Sequence, residues 1–263
     1  MSGPAIDQDV LDFAVEVAEA AGRLAADRFY ALDFTISLKP DGTEVTEVDL
    51  AIENFIRSQI QRRYPDDEIY GEEAGTTAGR SGRRWIIDPI NGTTYFAHRM
   101  PIFSMNIAYE DEHGPAVGVI NYPVNRQILY AGRGRGCRIR SGDTDLSPIL
   151  RDNAELAKAR VELVNFDLWP PDIVMTLHRH VRAMGYLGGV GGMLTGVLDA
   201  IVIAGNEMGY EDLAPLPIIV EEAGGRATDL DGGPLLSGPG TALLSTGWCH
   251  DDLLDLLRLP AAN

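Results

Sequence analysis

Trp85-Ile86-Ile87-Asp88-Pro89-Ile90-Asn91-Gly92-Thr93-Thr94 packs an apolar run, a carboxylate, a stiff turn and a helix start into one short segment. Trp85 to Ile87 is predicted as a buried strand that ends at Asp88-Pro89. The strand delivers Asp88, and Pro89 stiffens the exit. Gly92-Thr93-Thr94 then opens a helical turn whose first N–H groups lack partners within the helix, an end that suits an anion such as phosphate. The Thr93 hydroxyl can orient a water. One segment thus sets a metal-type carboxylate beside a phosphate cradle, although the same letters alone also describe a surface turn capped by Asp and Thr.

Hairpin signals lie downstream. Phe103 to Tyr109, Ala116 to Asn121, Gln127 to Ala131 and Gly136 to Arg140 read as strands, broken at Gly114-Pro115 and Pro123. Gly132-Arg133-Gly134-Arg135-Gly136 follows no βα unit, so it reads as a hairpin turn with solvated arginines and not as a dinucleotide fingerprint. Upstream, apolar residues recur at helical spacing from Asp7 to about Tyr30. Lys39-Pro40-Asp41-Gly42 is a turn, and Thr46 with Asp49 forms a capping box for a helix running to about Arg63. In the last third, Asp172 to Ala183, Leu216 to Ala223 and Asp251 to Leu259 are predicted helices. Val161 to Val164, Ala200 to Ala204, Arg226 to Leu230 and Ala242 to Ser245 are predicted strands. Helices and strands mix throughout while hairpins crowd the middle, which predicts a layered α/β fold with mixed sheets. The chain is expected to form one domain of two packed halves, about 1–140 and 141–263.

The 263 residues carry 22 Lys and Arg against 39 Asp and Glu, a net charge of −17, with 45% apolar residues. That apolar fraction is globular, and the charge disfavours nucleic acid and anionic membranes, both of which are gripped by Lys and Arg. A phosphorylated ligand would need extra positive charge, and a divalent cation supplies it. Acidic residues cluster in three places: Gly71-Glu72-Glu73, the Asp88 segment, and Tyr210-Glu211-Asp212. Carboxylate oxygens of this kind suit Mg²⁺. Cys137 and Cys249 form no Cys-x-x-Cys pair and read as buried thiols of a reducing compartment. With no leader pattern in Met1 to Gln8 and no stretch of ~20 apolar residues, a cytoplasmic protein is expected.

Gly71-Glu72-Glu73, the Trp85 to Thr94 segment, and Asp212 followed by Ile218-Ile219-Val220-Glu221-Glu222-Ala223-Gly224-Gly225 together resemble the inositol monophosphatase family. That family includes histidinol-phosphate phosphatases and is related to fructose-bisphosphatases. Lys39 to Asp49 and Gly247 to Leu257 fit as well, so the resemblance covers nearly the whole chain. It implies an αβαβα layered sandwich, a homodimer, and Mg²⁺-dependent hydrolysis of a small phosphorylated metabolite, a phosphate monoester. By the same resemblance, Glu72, Asp88 and the Ile90 carbonyl hold a first metal, and Asp88, Asn91 and Asp212 a second. Asp49 and Thr93 orient the attacking water. The N–H groups of Gly92, Thr93 and Thr94 bind the phosphate, with Lys39 close to the metals. Phe29 to Asp49 and Gly247 to Leu257 lean toward bacterial histidinol-phosphatase-type members.

Four departures bear on function. Asn91 stands where the family pattern has Asp, which predicts weaker second-metal binding and altered substrate choice. An introduced substitution, a slow or specialised phosphatase, and a phosphate-binding homologue without turnover are the three readings it leaves open. Glu211 stands where the family usually has Trp. Pro215 and Pro217 are expected to disturb the helix after Asp212. Glu207 is the nearest match to a substrate-binding Glu, at a shorter spacing. Gly188 sits in Gly185-Tyr186-Leu187-Gly188-Gly189-Val190-Gly191-Gly192, which reads either as a loop beside the substrate or as close helix packing. His98 reads as a surface residue or one at the pocket rim, and His178 and His180, two apart on a predicted helix, face different ways and are poorly placed to bind zinc together.

Overall fold

The computed structural model of the chain describes residues 3–31, 33–165, 168–186, 188–204 and 208–258. Helix α1 (Gln8–Ala31) buries the stripe from Val10 to Phe29 that its spacing predicts. A small hairpin, β1 (Ile36–Leu38) and β2 (Glu44–Thr46), flanks the Lys39 to Gly42 turn. Helix α2 (Glu47–Arg63) starts at Thr46, whose side chain accepts from the Val48 and Asp49 N–H groups while Asp49 accepts from Thr46 N–H. Such a cap is worth about 1 kcal/mol.

The first sheet contains β3 (Glu68–Gly71), β4 (Gly75–Thr77), β5 (Arg84–Asn91), and, after the short helix α3 (Thr93–Ala97), β6 (Ser104–Asp111), β7 (Gly114–Tyr122), β8 (Gln127–Gly132), β9 (Gly136–Ser141) and β10 (Thr144–Leu146). Its order is β10-β9-β8-β7-β6-β5-β3-β4, antiparallel except for β3 beside β5. The second sheet is built from β11 (Arg160–Val164), β12 (Arg182–Met184), β13 (Ala200–Ile203), β14 (Arg226–Thr228) and β15 (Ala242–Ser245), in the order β12-β11-β13-β15-β14. Its β11 runs parallel to both neighbours, and the remaining pairs are antiparallel. Between these strands lie α4 (Pro171–His180), α5 (Gly189–Leu194), α6 (Tyr210–Leu213) and α7 (Leu216–Glu222), and α8 (His250–Arg258) ends the described chain.

Among the described residues, three large apolar cores stack these pieces into layers, with a small fourth cluster at Ile86, Ala108 and Ala214. One joins α1 and α2 to the first sheet. A second joins the other face of that sheet to α5, α7 and the second sheet. A third covers the far face of the second sheet with α4 and α8. The result is the αβαβα sandwich with mixed sheets expected from the sequence.

Several local expectations are corrected. The Trp85 strand does not stop at Asp88-Pro89 but continues to Asn91, because a bulge between Asp88 and Asn91 falls where Pro89 has no N–H to give. The predicted Asp172 to Ala183 helix ends at His180, since Arg182–Met184 pairs with Arg160–Glu162 as a strand. The glycine-rich stretch matches its helix-packing reading: Gly188 and Gly189, at φ 97° and 53°, lead into helix α5. Arg133 is not solvated; it is buried and pairs with Asp111 and the Pro4 carbonyl. Pro215 separates α6 from α7, and Pro217 falls in the first turn of α7, where no intrahelical N–H is required.

Candidate active site

Strand β5 and the loop after β3 run side by side, and Glu72 N–H donates to the Ile87 carbonyl at 3.1 Å. This register sets Glu72 near Asp88, close enough for each carboxyl to feel the other's charge. Asp88 is 1% exposed; its Oδ2 accepts weakly from Asn106 Nδ2 at 3.4 Å, and its Oδ1 is buried without a hydrogen-bond partner. Burial, then the charges of Asp212 and Glu72, push its carboxyl far above the usual range. Helix α6 brings in Asp212, whose Oδ2 accepts from Gly209 N–H at 2.7 Å and whose Oδ1 accepts from the Asn91 side-chain amide. Burial pushes Asp212 up to about 7, with Glu211 and Glu72 adding to the shift. An orphaned, buried carboxylate oxygen among mutually repelling acids is costly, and a hard cation would relieve both problems.

Lys39 partly offsets this charge. Its Nζ lies 2.7 Å from Glu72 Oε1 and 2.8 Å from Glu73 Oε1. Burial still raises Glu72 above its ordinary value and Glu73 to about 7. The loop carrying both acids is held by a residue the sequence reading missed. Glu53, on α2, accepts from Glu73 N–H at 2.8 Å, Ala74 N–H at 3.0 Å and Arg57 Nε at 2.7 Å. A charged pair four apart on an otherwise apolar helix face was the available signal.

Thr93 is the first residue of α3. Its Oγ1 lies 3.0 Å from Asp49 Oδ1 and 3.1 Å from the Ile90 carbonyl. Asp49 is fully buried, held by Thr46 as well, and burial raises its carboxyl. The capping box of α2 therefore also aims Asp49 at Thr93. Gly92, at φ 89°, precedes them and turns the chain into α3.

Asn91, Gly92 and Asp212 line one cleft of about 330 Å³ that continues between the sheets along Tyr122, Glu162 and Tyr186. A larger groove of about 560 Å³, along Arg23, Tyr30 and Arg140, shares no lining residue with it. Gly188 caps α5, whose Gly189 lines the cleft. Glu207 lies outside the described residues. His98 is exposed and meets Glu44. Glu211, in place of the family's usual Trp, accepts at Oε2 from Tyr70 O–H at 3.0 Å. Among the described residues, no three His, Cys, Asp or Glu side chains form a ready-made metal cluster. Any cation held here would therefore also draw on neutral oxygens such as Asn91 Oδ1 and the Ile90 carbonyl.

Comparison with known proteins gives a consistent picture. The profile described as the inositol monophosphatase family matches residues 6–258. The chain is 35% identical to a histidinol-phosphatase of Mycobacterium tuberculosis, over 96% of this chain and 99% of that one. It is 31% identical to human inositol monophosphatase 2, over 87% and 83% respectively. The solved structure of a Thermotoga maritima IMPase superposes with a TM-score of 0.83 at 26% identity, over 95% of this chain and 97% of the other.

Proposed function

The chain belongs to the inositol monophosphatase family, and from that premise we propose that it hydrolyses a small-molecule phosphate monoester with Mg²⁺ as cofactor. The observation that carries the proposal is the buried, partnerless Asp88 Oδ1 beside Glu72 and Asp212, a donor set that fits a hard cation. Glu72, Asp88 and the Ile90 carbonyl would hold one ion, and Asp88, Asn91 and Asp212 a second. When bound, Mg²⁺ neutralises phosphate charge, acidifies a coordinated water and stabilises the leaving oxygen.

The remaining steps belong to the chain's own residues. Thr93 O–H donates to Asp49, which leaves the hydroxyl's lone pairs to accept from the attacking water and fix its direction. The carboxylates of Asp49 and Glu72 then draw off the developing proton charge. The first-turn N–H groups of Gly92, Thr93 and Thr94 receive the phosphate oxygens. Lys39 holds Glu72 and Glu73 in place and limits their repulsion. Positioning and charge supply most of the catalysis that phosphoryl transfer needs.

Candidate substrates are inositol-, histidinol-, sugar- and nucleoside-phosphate esters, and the relatives named for histidinol and inositol phosphates support the first two. The two halves, about 1–140 and 141–263, are proposed to act as one phosphatase domain in a cytoplasmic homodimer. Phosphate release from that panel, with and without Mg²⁺, tests the reading. A second reading, a phosphate-ligand binder without turnover, is favoured by Asn91, which presents its amide to Asp212 and adds no charge. It predicts saturable binding of the esters with no release.

A further inference from the structure

Helix α6 carries two successive carboxylates, Glu211 and Asp212. Asp212 meets Asn91, whereas Glu211 lies against Gly209, in the space a Cβ there would take, with its Oε2 3.0 Å from the Tyr70 hydroxyl. Gly209 N–H donates to Asp212 Oδ2 at 2.7 Å, so both carboxylates gather around one residue. Among the described residues Glu211 forms no ion pair: Arg84, which lies over the neighbouring Tyr210 ring at 4.8 Å, is paired with Glu110 at 2.6 Å. Its charge instead reaches other acids. Beyond burial, Glu211 helps to raise the carboxyls of Asp212, Asp88 and Glu72. A half-buried acid kept without a cation beside three others destabilises the metal-free fold. Tyr70 accounts for where the carboxylate sits but not for its charge, because a neutral amide would accept the same O–H. Across the site, Asn91 offers a ligating oxygen that brings no charge, and the partnerless Asp88 Oδ1 marks the place of the missing cation.

We propose that Glu211 supplies the negative charge that Asn91 lacks to the cation held between Asp88, Asn91 and Asp212. This rests on the Mg²⁺-dependent reading above and deepens it. The ligating oxygen and the charge that a single aspartate would combine are divided between β5 and α6. Tyr70 and the bare Gly209 fix the Glu211 carboxylate close to Asp212 without neutralising it.

Isothermal titration calorimetry of the full chain with Mn²⁺, at fixed ionic strength, compares wild type, Glu211→Gln, Asn91→Asp and the double variant. Glutamine keeps an acceptor for Tyr70 O–H and removes only the charge. Glu211→Gln is expected to weaken the weaker Mn²⁺ step by about tenfold, the order expected for a unit charge several ångströms from a divalent ion in a partly screened site. Its melting temperature in chelator is expected to be no lower than that of wild type. The double variant, with the charge moved to position 91, is expected to bind within about threefold of wild type. Glu211→Gln binding as tightly as wild type overturns the proposal, as does a double variant as tight as Asn91→Asp. A weaker Mn²⁺ step accompanied by a lower melting temperature in chelator also overturns it, because that is the signature of a structural acid. Should Glu211→Gln fail to fold, Glu211→Ala is read by the same criteria. Uptake of a single Mn²⁺ by wild type overturns the proposal and leaves the Mg²⁺-dependent reading standing; uptake of none at millimolar concentration contradicts that reading as well.

Discussion

Asn91 donates its side-chain amide to Asp212 Oδ1, joining the end of β5 to α6 across the cleft. In a site crowded with acids, this amide supplies a hydrogen where an aspartate would supply another negative charge. Asn91→Asp therefore has opposite effects with and without metal. Metal-free protein should lose about 1–3 kcal/mol, because two carboxylates then face each other. Mg²⁺ affinity should rise about tenfold or more, as expected for an added unit charge a few ångströms from the ion. Melting temperatures with and without Mg²⁺ measure both effects; a variant equally stable without metal and no tighter for Mg²⁺ contradicts them.

Asp88 is central to the site, and its two substitutions separate chemistry from stability. Asp88→Ala should abolish Mg²⁺-dependent phosphate release. Asp88→Asn should also be inactive but melt higher than wild type in chelator, because it removes a buried charge with a partnerless oxygen. Calorimetry in EDTA reads the second outcome, and a lower melting temperature for the asparagine variant would count against it.

Metal-free stability should fall as pH rises. Asp212 and Glu73 are raised to about 7 and burial holds Asp88 well above its ordinary value, so the contribution of Asp212 and Glu73 is complete below the ordinary carboxylate range near pH 4 and is lost as pH climbs through about 7. Mg²⁺ should restore what is lost, so its stabilising effect is larger at pH 8 than at pH 5. Equal Mg²⁺-induced shifts at the two pH values would remove this explanation of the raised carboxyls.

His250 works in the opposite direction. It is fully buried between Ser245 Oγ, 2.8 Å from Nδ1, and Thr228 Oγ1, 3.0 Å from Nε2, and burial lowers it to about 4. Stability held by the neutral ring is present above about 6.5 and is lost as pH falls toward 4, by roughly 2–4 kcal/mol. His250→Gln should flatten the acid limb of the Mg²⁺-saturated protein. An unchanged limb would place the acid sensitivity elsewhere.

Glu53 and Thr93 test positioning. Glu53→Ala leaves Arg57 buried without its carboxylate and should cost about 3–5 kcal/mol. It should also weaken Mg²⁺ binding, because the Glu72–Glu73 loop loses two N–H contacts. Thr93→Val should lower kcat by about 10²–10⁴ with little change in KM, if the hydroxyl acts on the attacking water. A purely structural threonine would instead lower the melting temperature and leave kcat within a few fold.

The parts of the fold written in local chemistry were the legible ones. The stripe of α1 and the Thr46 cap of α2 are set by neighbours three and four residues away, and both appear where spacing predicts them. The layered class followed from hairpins in the middle and alternation at the ends. Tertiary pairing hid the rest. Arg182–Met184 is a strand because Arg160–Glu162 lies beside it, which no property of the short segment reveals. Arg133 is buried because the sheet brings it onto Asp111, 22 residues earlier in the chain. In the site, Glu72, Asp88 and Asp212 could be named from motifs, whereas the Asn91 to Asp212 contact, the Glu53 clamp and the place of Glu162 required the folded chain. Glu162 did leave a mark: a lone acid between Val161 and Leu163 in an otherwise apolar strand.

The central claim, that these separated acids gather a divalent cation, is tested most directly by anomalous diffraction from crystals grown with Mn²⁺ in place of Mg²⁺. The account predicts a peak at coordination distance, about 2.0–2.3 Å, from Asp88 Oδ1, with Glu72 or Asp212 also ligating. Ordered Mn²⁺ bound only elsewhere, with Asp88 left bare at saturating metal, would contradict it.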